Sequence, residues 1–252
     1  MTIVILVFIA QWYLSLFSQT FLLHCYASHG AFTMNKFWER VSYVIAYITM
    51  GSSYLSPRAY GIMHRMHHAY TDTPKDPHSP KYFSNVFAMM KQTANVYMSI
   101  LTGNTIAEER FEKNLPDWPA LDRWGHSWTS RIIWGTLYLS IYFFFAPSLW
   151  WYLLLPVQFF MSPVHGAIIN WFAHKYGYRN FKLNNTSRNL LPVDLIMLGE
   201  AYHNNHHKYA SNINFGVRWF EIDPVYFVIR LFNWLGIVKI RNIALERVAS
   251  EF

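Results

Sequence analysis

Twelve histidines occur in the 252-residue chain, and nine of them fall in four short stretches. In "HRMHH", His64, His67 and His68 stand at i, i+3 and i+4, which puts all three imidazoles on one face of a helix. "HNNHH" repeats the spacing with His203, His206 and His207. "HCYASH" holds His24 and His29 five residues apart, which matches no α-helical face. This pair is therefore expected to flank a helix end and to reach inward from different directions. "NWFAH" adds Asn170 and His174 at i, i+4.

Neutral imidazole is a common metal ligand, and nine are more than one metal takes. Zinc sites use three or four ligands, and two haems would use at most four axial histidines. The count suits two metal ions that share a histidine-rich site and keep positions open for oxygen. Imidazole suits iron among the redox-active metals, with zinc and copper left open by ligand type. Cys25 is the only cysteine, which removes intramolecular disulfides and any cysteine-held zinc or iron-sulfur site.

The segments that carry these residues are apolar. Charged residues make up 14% of the chain where about a quarter is usual for soluble domains, and aromatics reach 19%. Residues 1–23 and 132–173 contain no Lys or Arg. At about 20 residues per crossing, the first window is one membrane helix and the second a hairpin of two, turning at Pro147 and Ser148 with Trp150 and Trp151 at the interface. No basic segment precedes residues 1–23 and no small-residue cleavage pattern closes them, so they are expected as a retained helix rather than a signal peptide. The positive-inside rule then puts the charged segments, 24–131 and 174–252, on the cytoplasmic side.

Residues 41–57 are apolar but short and bounded by Arg40 and Arg58. A crossing there would separate His24 from His64, so the segment is expected at the interface, as is the stretch from Val225 with Arg230 and Lys239 in its apolar face. The expected fold is all-α: one integral membrane domain over 1–252 with a cytoplasmic, histidine-rich helical cap, in contact with membrane lipid. A net charge of +7 could suggest nucleic acid, but the basic residues are interrupted by long apolar runs, which excludes that partner.

Taken in order, HxxxxH, HxxHH, Asn-x-x-x-His and HNxHH resemble the boxes of the integral-membrane fatty acid desaturases, most closely the acyl-CoA branch typified by stearoyl-CoA 9-desaturases. "TDTPKDPHSP", "HKYGYRN" and "GEAYHNNHH" extend the likeness, which covers about residues 10 to 240. The resemblance implies a diiron centre ligated by His24, His29, His64, His67, His68, His174, His203, His206 and His207, with Asn170 holding a metal through water. It implies O2 as co-substrate, a fatty acyl substrate, a cis double bond as product and two electrons from a separate ferredoxin- or cytochrome-like donor, which would dock on the basic face. Two departures stand out: the family usually has four membrane helices, and residues 1–23 leave room for one before the first box. Where the acyl-CoA branch often has an aromatic followed by Arg-Asp, this chain has "YGIM" from Tyr60, so the acyl chain is expected on CoA or on a lipid.

An unactivated methylene has no acidic proton and no leaving group, so the metals must supply the chemistry and the protein the positioning. Asp72, Asp76, Asp194 and Glu200 are expected to accept the free N–H groups of the imidazoles, with His78 beside them. Trp134, Tyr138, Phe159 and Trp171 are expected to line an acyl tunnel. His126 is expected on the surface and His165 as a hydrogen-bonded structural residue. Two other functions fit the same boxes: an acyl or lipid hydroxylase of the same superfamily, and a non-catalytic membrane haem or metal carrier.

Overall fold

A computed structural model describes residues 2–241, so the part of the expected cap from 242 to 252 lies outside the described residues. The described chain is mostly helical. Helix α1 (Thr2–Ser18) continues without a break into a π-helical stretch, Gln19–Ser28. Together, as Thr2–Ser28, they form the one described single helix long and apolar enough to cross a membrane. A strand, β1 (Phe32–Met34), then pairs antiparallel with β2 (Val238–Ile240), Phe32 opposite Ile240.

Helix α2 (Lys36–Met50) begins at Asn35, whose side chain accepts from the Trp38 N–H, and buries Tyr43, Ala46 and Met50 while Phe37, Val44, Ile45 and Ile48 face out. At 15 residues it is shorter than the roughly 20 of a crossing. Helix α3 (Pro57–Tyr70) carries the second box, capped by Ser56 with Pro57 in its first turn. Helix α4 (Val86–Leu101) and the short α5 (Glu109–Glu112) and α6 (Pro119–Gly125) follow. Buried Asp122 in α6 accepts from Tyr54 Oη and Ser56 Oγ, both at 2.7 Å, and so ties α6 to the start of α3.

The second apolar window departs from a simple hairpin. Its outward limb is one helix, α7 (Trp128–Phe145), but the return limb is broken. A 3-10 segment, Leu149–Leu154, leads into α8 (Leu155–Phe159), and the direction then changes by 72° before α9 (Met161–Ala167) and a second π-helical stretch, Ile168–Phe172. Pro163 explains the break: it has no N–H for the carbonyl four residues earlier, that of Phe159, and its ring crowds that carbonyl. Ser52 Oγ donates to the Phe159 carbonyl instead, at 2.9 Å. The last helices are α10 (His203–Lys208), which carries the third box, and α11 (Pro224–Trp234), which buries Val225 and Ile229 and exposes Phe227 and Leu231.

The largest apolar core joins the π-helical end of α1 to α2, the two strands and α11 through Phe21, Leu22, Phe32, Tyr43, Met50 and Ile229. Gly51, at φ +56°, ends α2 where a Cβ would collide with the Tyr138 hydroxyl. Left-handed strain and overpacking act together there. Gly51→Ala is therefore expected to destabilise the protein by roughly 2–5 kcal/mol, read as a lowered thermal midpoint of the detergent-solubilised protein.

A histidine-lined centre and its cavity

His24 lies in the π-helical stretch and His29 caps its end, so the pair does flank a helix end, but the two rings sit on the same side instead of approaching from different directions. In π geometry the hydrogen bond closes on the fifth residue, so i and i+5 come round to the same side. The His29 N–H donates to the His24 carbonyl at 3.2 Å, and the two rings are 5.1 Å apart. The second π stretch carries Asn170, half-buried, just before His174. Both helices thus widen at the turns that present these residues.

All nine box histidines meet. Five of them, His24, His29, His64, His68 and His206, place one nitrogen each within 4.8 Å of one another. The other four, His67, His174, His203 and His207, form a second such group. Within the first group Nε2 atoms follow one another in the order His29, His64, His68, His206, His24, at 2.9, 3.0, 2.9 and 2.9 Å. Within the second the order is His67, His207, His203, His174, at 3.2, 3.0 and 3.0 Å.

Hydrogen bonding cannot satisfy this arrangement. Burial, reinforced by neighbouring imidazoles, holds His29, His64, His67, His68, His203, His206 and His207 well below the usual histidine range. Burial also lowers His174, against the pull of Asp72 and Asp76. Each such ring is neutral at pH 7, with one N–H and one lone pair in its plane. His24 Nδ1 sits 2.7 Å from Glu200 Oε1, and His67 Nδ1 sits 2.9 Å from Asp76 Oδ1. A carboxylate only accepts, so those N–H groups point outward and the Nε2 atoms point in. His64, His68, His203, His206 and His207 each face two other Nε2 atoms, and one lone pair or N–H serves only one of them.

A cation at each centre resolves the conflict. Two imidazole nitrogens at right angles around an ion about 2.0–2.1 Å away stand roughly 2.9–3.0 Å apart, and tetrahedral ones roughly 3.3–3.4 Å. Six of the seven spacings lie at 2.9–3.0 Å. The donor set therefore fits metal ions with more than four ligands in the first group. Asn170 stands at the wall with a half-buried side chain.

The expected acids divide by what they touch. Glu200 and Asp76 meet imidazoles directly, and burial raises Asp76 even though the His78 and Asp72 N–H groups also reach it. Asp72 works at one remove: it accepts from the Thr186 N–H at 2.6 Å, and Thr186 Oγ1 meets His174 Nδ1 at 3.0 Å. Burial raises Asp72, but bonds from Ser79 and Thr186 outweigh it and leave the carboxyl below its usual range. Asp194 touches no imidazole. It accepts three backbone N–H groups, from Met197, Gly199 and Ala201, and so folds the turn that delivers Glu200. His78 lies tilted against His67, ring centres 4.3 Å apart, with both ring nitrogens buried and unpaired.

The centre opens into a cavity of about 630 Å³ with a mainly apolar wall, within the range of small-molecule sites. Its lining takes in His24, His64, His203 and Asn170 and continues past Met63, Ile169 and Met197 to Ser52, Gly135 and Phe159.

A profile of the fatty acid desaturase family matches residues 1–231. The chain belongs to the fatty acid desaturase family. It is 31% identical to the Delta-9 desaturase-like 5 protein of Arabidopsis thaliana, over 87% of this chain and 70% of that one. It is 26% identical to the Delta-9 acyl-lipid desaturase 2 of the same plant, over 85% and 66%. With an acyl-CoA 5-desaturase of Anemone leveillei the identity is 28%, over 88% and 66%. As a desaturase the chain is an oxidoreductase of a membrane-associated, iron-using family.

Of the four aromatic residues expected along a tunnel, this desaturase places Phe159 in the cavity wall. Tyr138 packs on Phe159 and accepts from Gln11 Nε2 at 2.7 Å, and Trp134 packs on Tyr138 and Tyr47. Trp171 is buried beneath the Lys175 ammonium, 3.4 Å from its ring. His126, expected on the surface, is half-buried in the wall and bonded to Tyr97 Oη. His165 is hydrogen-bonded, as expected, to Gln19, and it also lines the cavity.

Several positioning residues escaped the sequence reading. Arg65, inside the second box, donates to the carbonyls of Ala27 and Ser28 at 2.9 and 2.7 Å and to those of Phe111 and Lys113 at 3.2 and 2.6 Å. It ties the first box to the second. Asn204 and Asn205, the middle of "HNNHH", turn away from the histidines: Asn204 bonds Phe181, Asn180 and Ser187, and Asn205 bonds Glu221 and the Phe215 carbonyl. Their place between the histidines was the available signal, since it puts them on the opposite helical face. Arg65→Met keeps the stem and removes the donors. It is expected to cost roughly 3–5 kcal/mol, seen as a lowered thermal midpoint with loss of hydrogen-exchange protection at residues 24–29.

Proposed function

We propose that the protein is a fatty acyl desaturase that introduces a cis double bond into a long acyl chain, using O2 and two electrons at a pair of iron ions. The observation that carries this reading is the convergence of nine inward Nε2 atoms in two groups beside an apolar cavity. Nine imidazoles and one amide would supply five donors to each of two ions, with Asn170 acting through water beside His67, His174, His203 and His207. Five donors around one ion exceed the four typical of zinc.

Bound there, iron supplies the activation of O2 and the hydrogen removal that no side chain of this protein can perform. The protein's own groups do the rest. Glu200 and Asp76 take the outward N–H of His24 and His67, and Thr186 meets that of His174, which fixes the tautomer and aims each lone pair. Tyr60, stacked parallel to His64 at 5.6 Å, and Phe215, 4.8 Å from His206, keep water from the first group. The apolar wall holds the acyl chain beside the centre, and the carrier is CoA or a lipid. Tyr138, with Trp134 packed on it, shapes that cavity from behind Phe159.

The expected setting is a single multi-pass membrane unit with the centre on the cytoplasmic side, in contact with lipid. Electrons come from a separate ferredoxin- or cytochrome-like donor that docks on the basic face.

The deciding experiment compares the fatty acid profiles, with double bonds localised by mass spectrometry, of hosts that make the protein or its His206→Ala variant. A new unsaturated species in the first host alone is expected, together with two irons per purified chain and fewer in the variant. Hydroxylated chains instead would make the protein an oxygenase; a haem absorption band would overturn the diiron reading altogether. Glu200→Gln keeps the shape but weakens the hold on His24. It is expected to lower metal retention against a chelator by roughly ten- to hundredfold, measured as metal per protein.

A further inference from the structure

Most of the cavity wall is apolar, yet one part of it is not. Gln19 and Thr20 precede His24 on the first π stretch, and His165 lies opposite on α9, five residues before Asn170. All three line the cavity. His165 is 2% exposed and Thr20 1%. Gln19 Nε2 is 2.8 Å from His165 Nδ1, and an amide N–H only donates, so Nδ1 accepts and the ring proton is on Nε2. The ring packs at right angles to Trp12, centroids 4.5 Å apart, which fixes its direction. His165 Nε2 and Thr20 Oγ1 are nevertheless buried with no partner. Native interiors rarely leave such groups unpaired, and a donor held in place without an acceptor awaits one.

We propose that this wall reads a hydrogen-bond-accepting oxygen on the acyl ligand, with the His165 Nε2–H and the Thr20 hydroxyl as its partners. The proposal rests on the desaturase reading of the cavity and names what that reading leaves open: a bare hydrocarbon would leave both groups unpaired. The oxygen has two possible sources, the carbonyl that joins the chain to its carrier or a hydroxyl further along the chain. A site that hydrogen-bonds an oxygen discriminates against analogues that lack it, because its own buried groups are then stranded. The contact also fixes which carbons lie at the metal centre, since His165 and Thr20 are at set distances along their helices from His174 and His24.

The test is competition against a fluorescent fatty acid on the full chain in detergent micelles, with three probes: octadecane, methyl octadecanoate and methyl hydroxyoctadecanoates of varied hydroxyl position. Each is measured on the unmodified protein, on Thr20→Val, which keeps the shape, and on His165→Phe, which keeps the contact with Trp12. Circular dichroism confirms that each variant is folded. If the carbonyl is the oxygen read, methyl octadecanoate competes about tenfold better than octadecane, and either variant removes that advantage. If a chain hydroxyl is read, one positional isomer competes about tenfold better than methyl octadecanoate, and the variants remove that instead. Equal competition by all probes, or an advantage that survives both substitutions, overturns the proposal while leaving the desaturase reading intact. No competition by any probe overturns both.

Discussion

Nine imidazoles with their Nε2 atoms turned toward one another are the constraint around which this molecule is organised. Without a positive charge between them the Nε2 atoms of each group crowd one another at 2.9–3.2 Å, and no assignment of protons relieves the interior members. The chain holds three of them, His24, His67 and His174, by bonds on the other side of the ring. Glu200 and Asp76 take N–H groups directly, and Asp72 acts through Thr186. Arg65 fastens the end of the first helix to the second box, and the asparagines of the third box fasten α10 to the loops around it. Such a framework resembles a metal site in its outer bonds as well as in its ligands.

The same framework sets the shape of the cavity. Pro163 frees the Phe159 carbonyl, Ser52 takes it, and the return limb bends so that α9 lies along the cavity while α8 closes beneath it. A straight crossing would have carried Asn170 and His165 along one axis with Phe159. The bend instead lets one limb supply the wall beside the histidines and Phe159 at the same time. Membership of the fatty acid desaturase family accords with a site built where apolar helices end.

Much of the centre was legible because helical spacing is a local property. His64, His67 and His68, and likewise His203, His206 and His207, meet the same side of a helix wherever that helix lies. The charge-free windows marked the apolar helices for the same reason. The pair His24 and His29 was misread because five residues align only in π geometry, and packing rather than residue type imposed that geometry. The break in the return limb was equally hidden. The turn expected at Pro147 does separate α7 from the return limb, but a second change of direction falls at Phe160, where Pro163 leaves a carbonyl without its donor and Ser52, more than a hundred residues away, supplies one.

The amino-acid sequence by itself determined which residues could hold metal, which segments were apolar and which family the chain resembled, since each of these depends on residue type and short spacing. Only the tertiary structure decided how the histidines divide into five and four, that Glu200 and Asp76 touch imidazoles while Asp194 shapes a turn, and that Phe159 reaches the cavity while Trp171 lies under Lys175. The physical reason is that a lone pair, a bent helix or an orienting carboxylate acts over about 3 Å in space. His24 and Glu200 come that close across 176 residues of chain, and no local pattern records the contact.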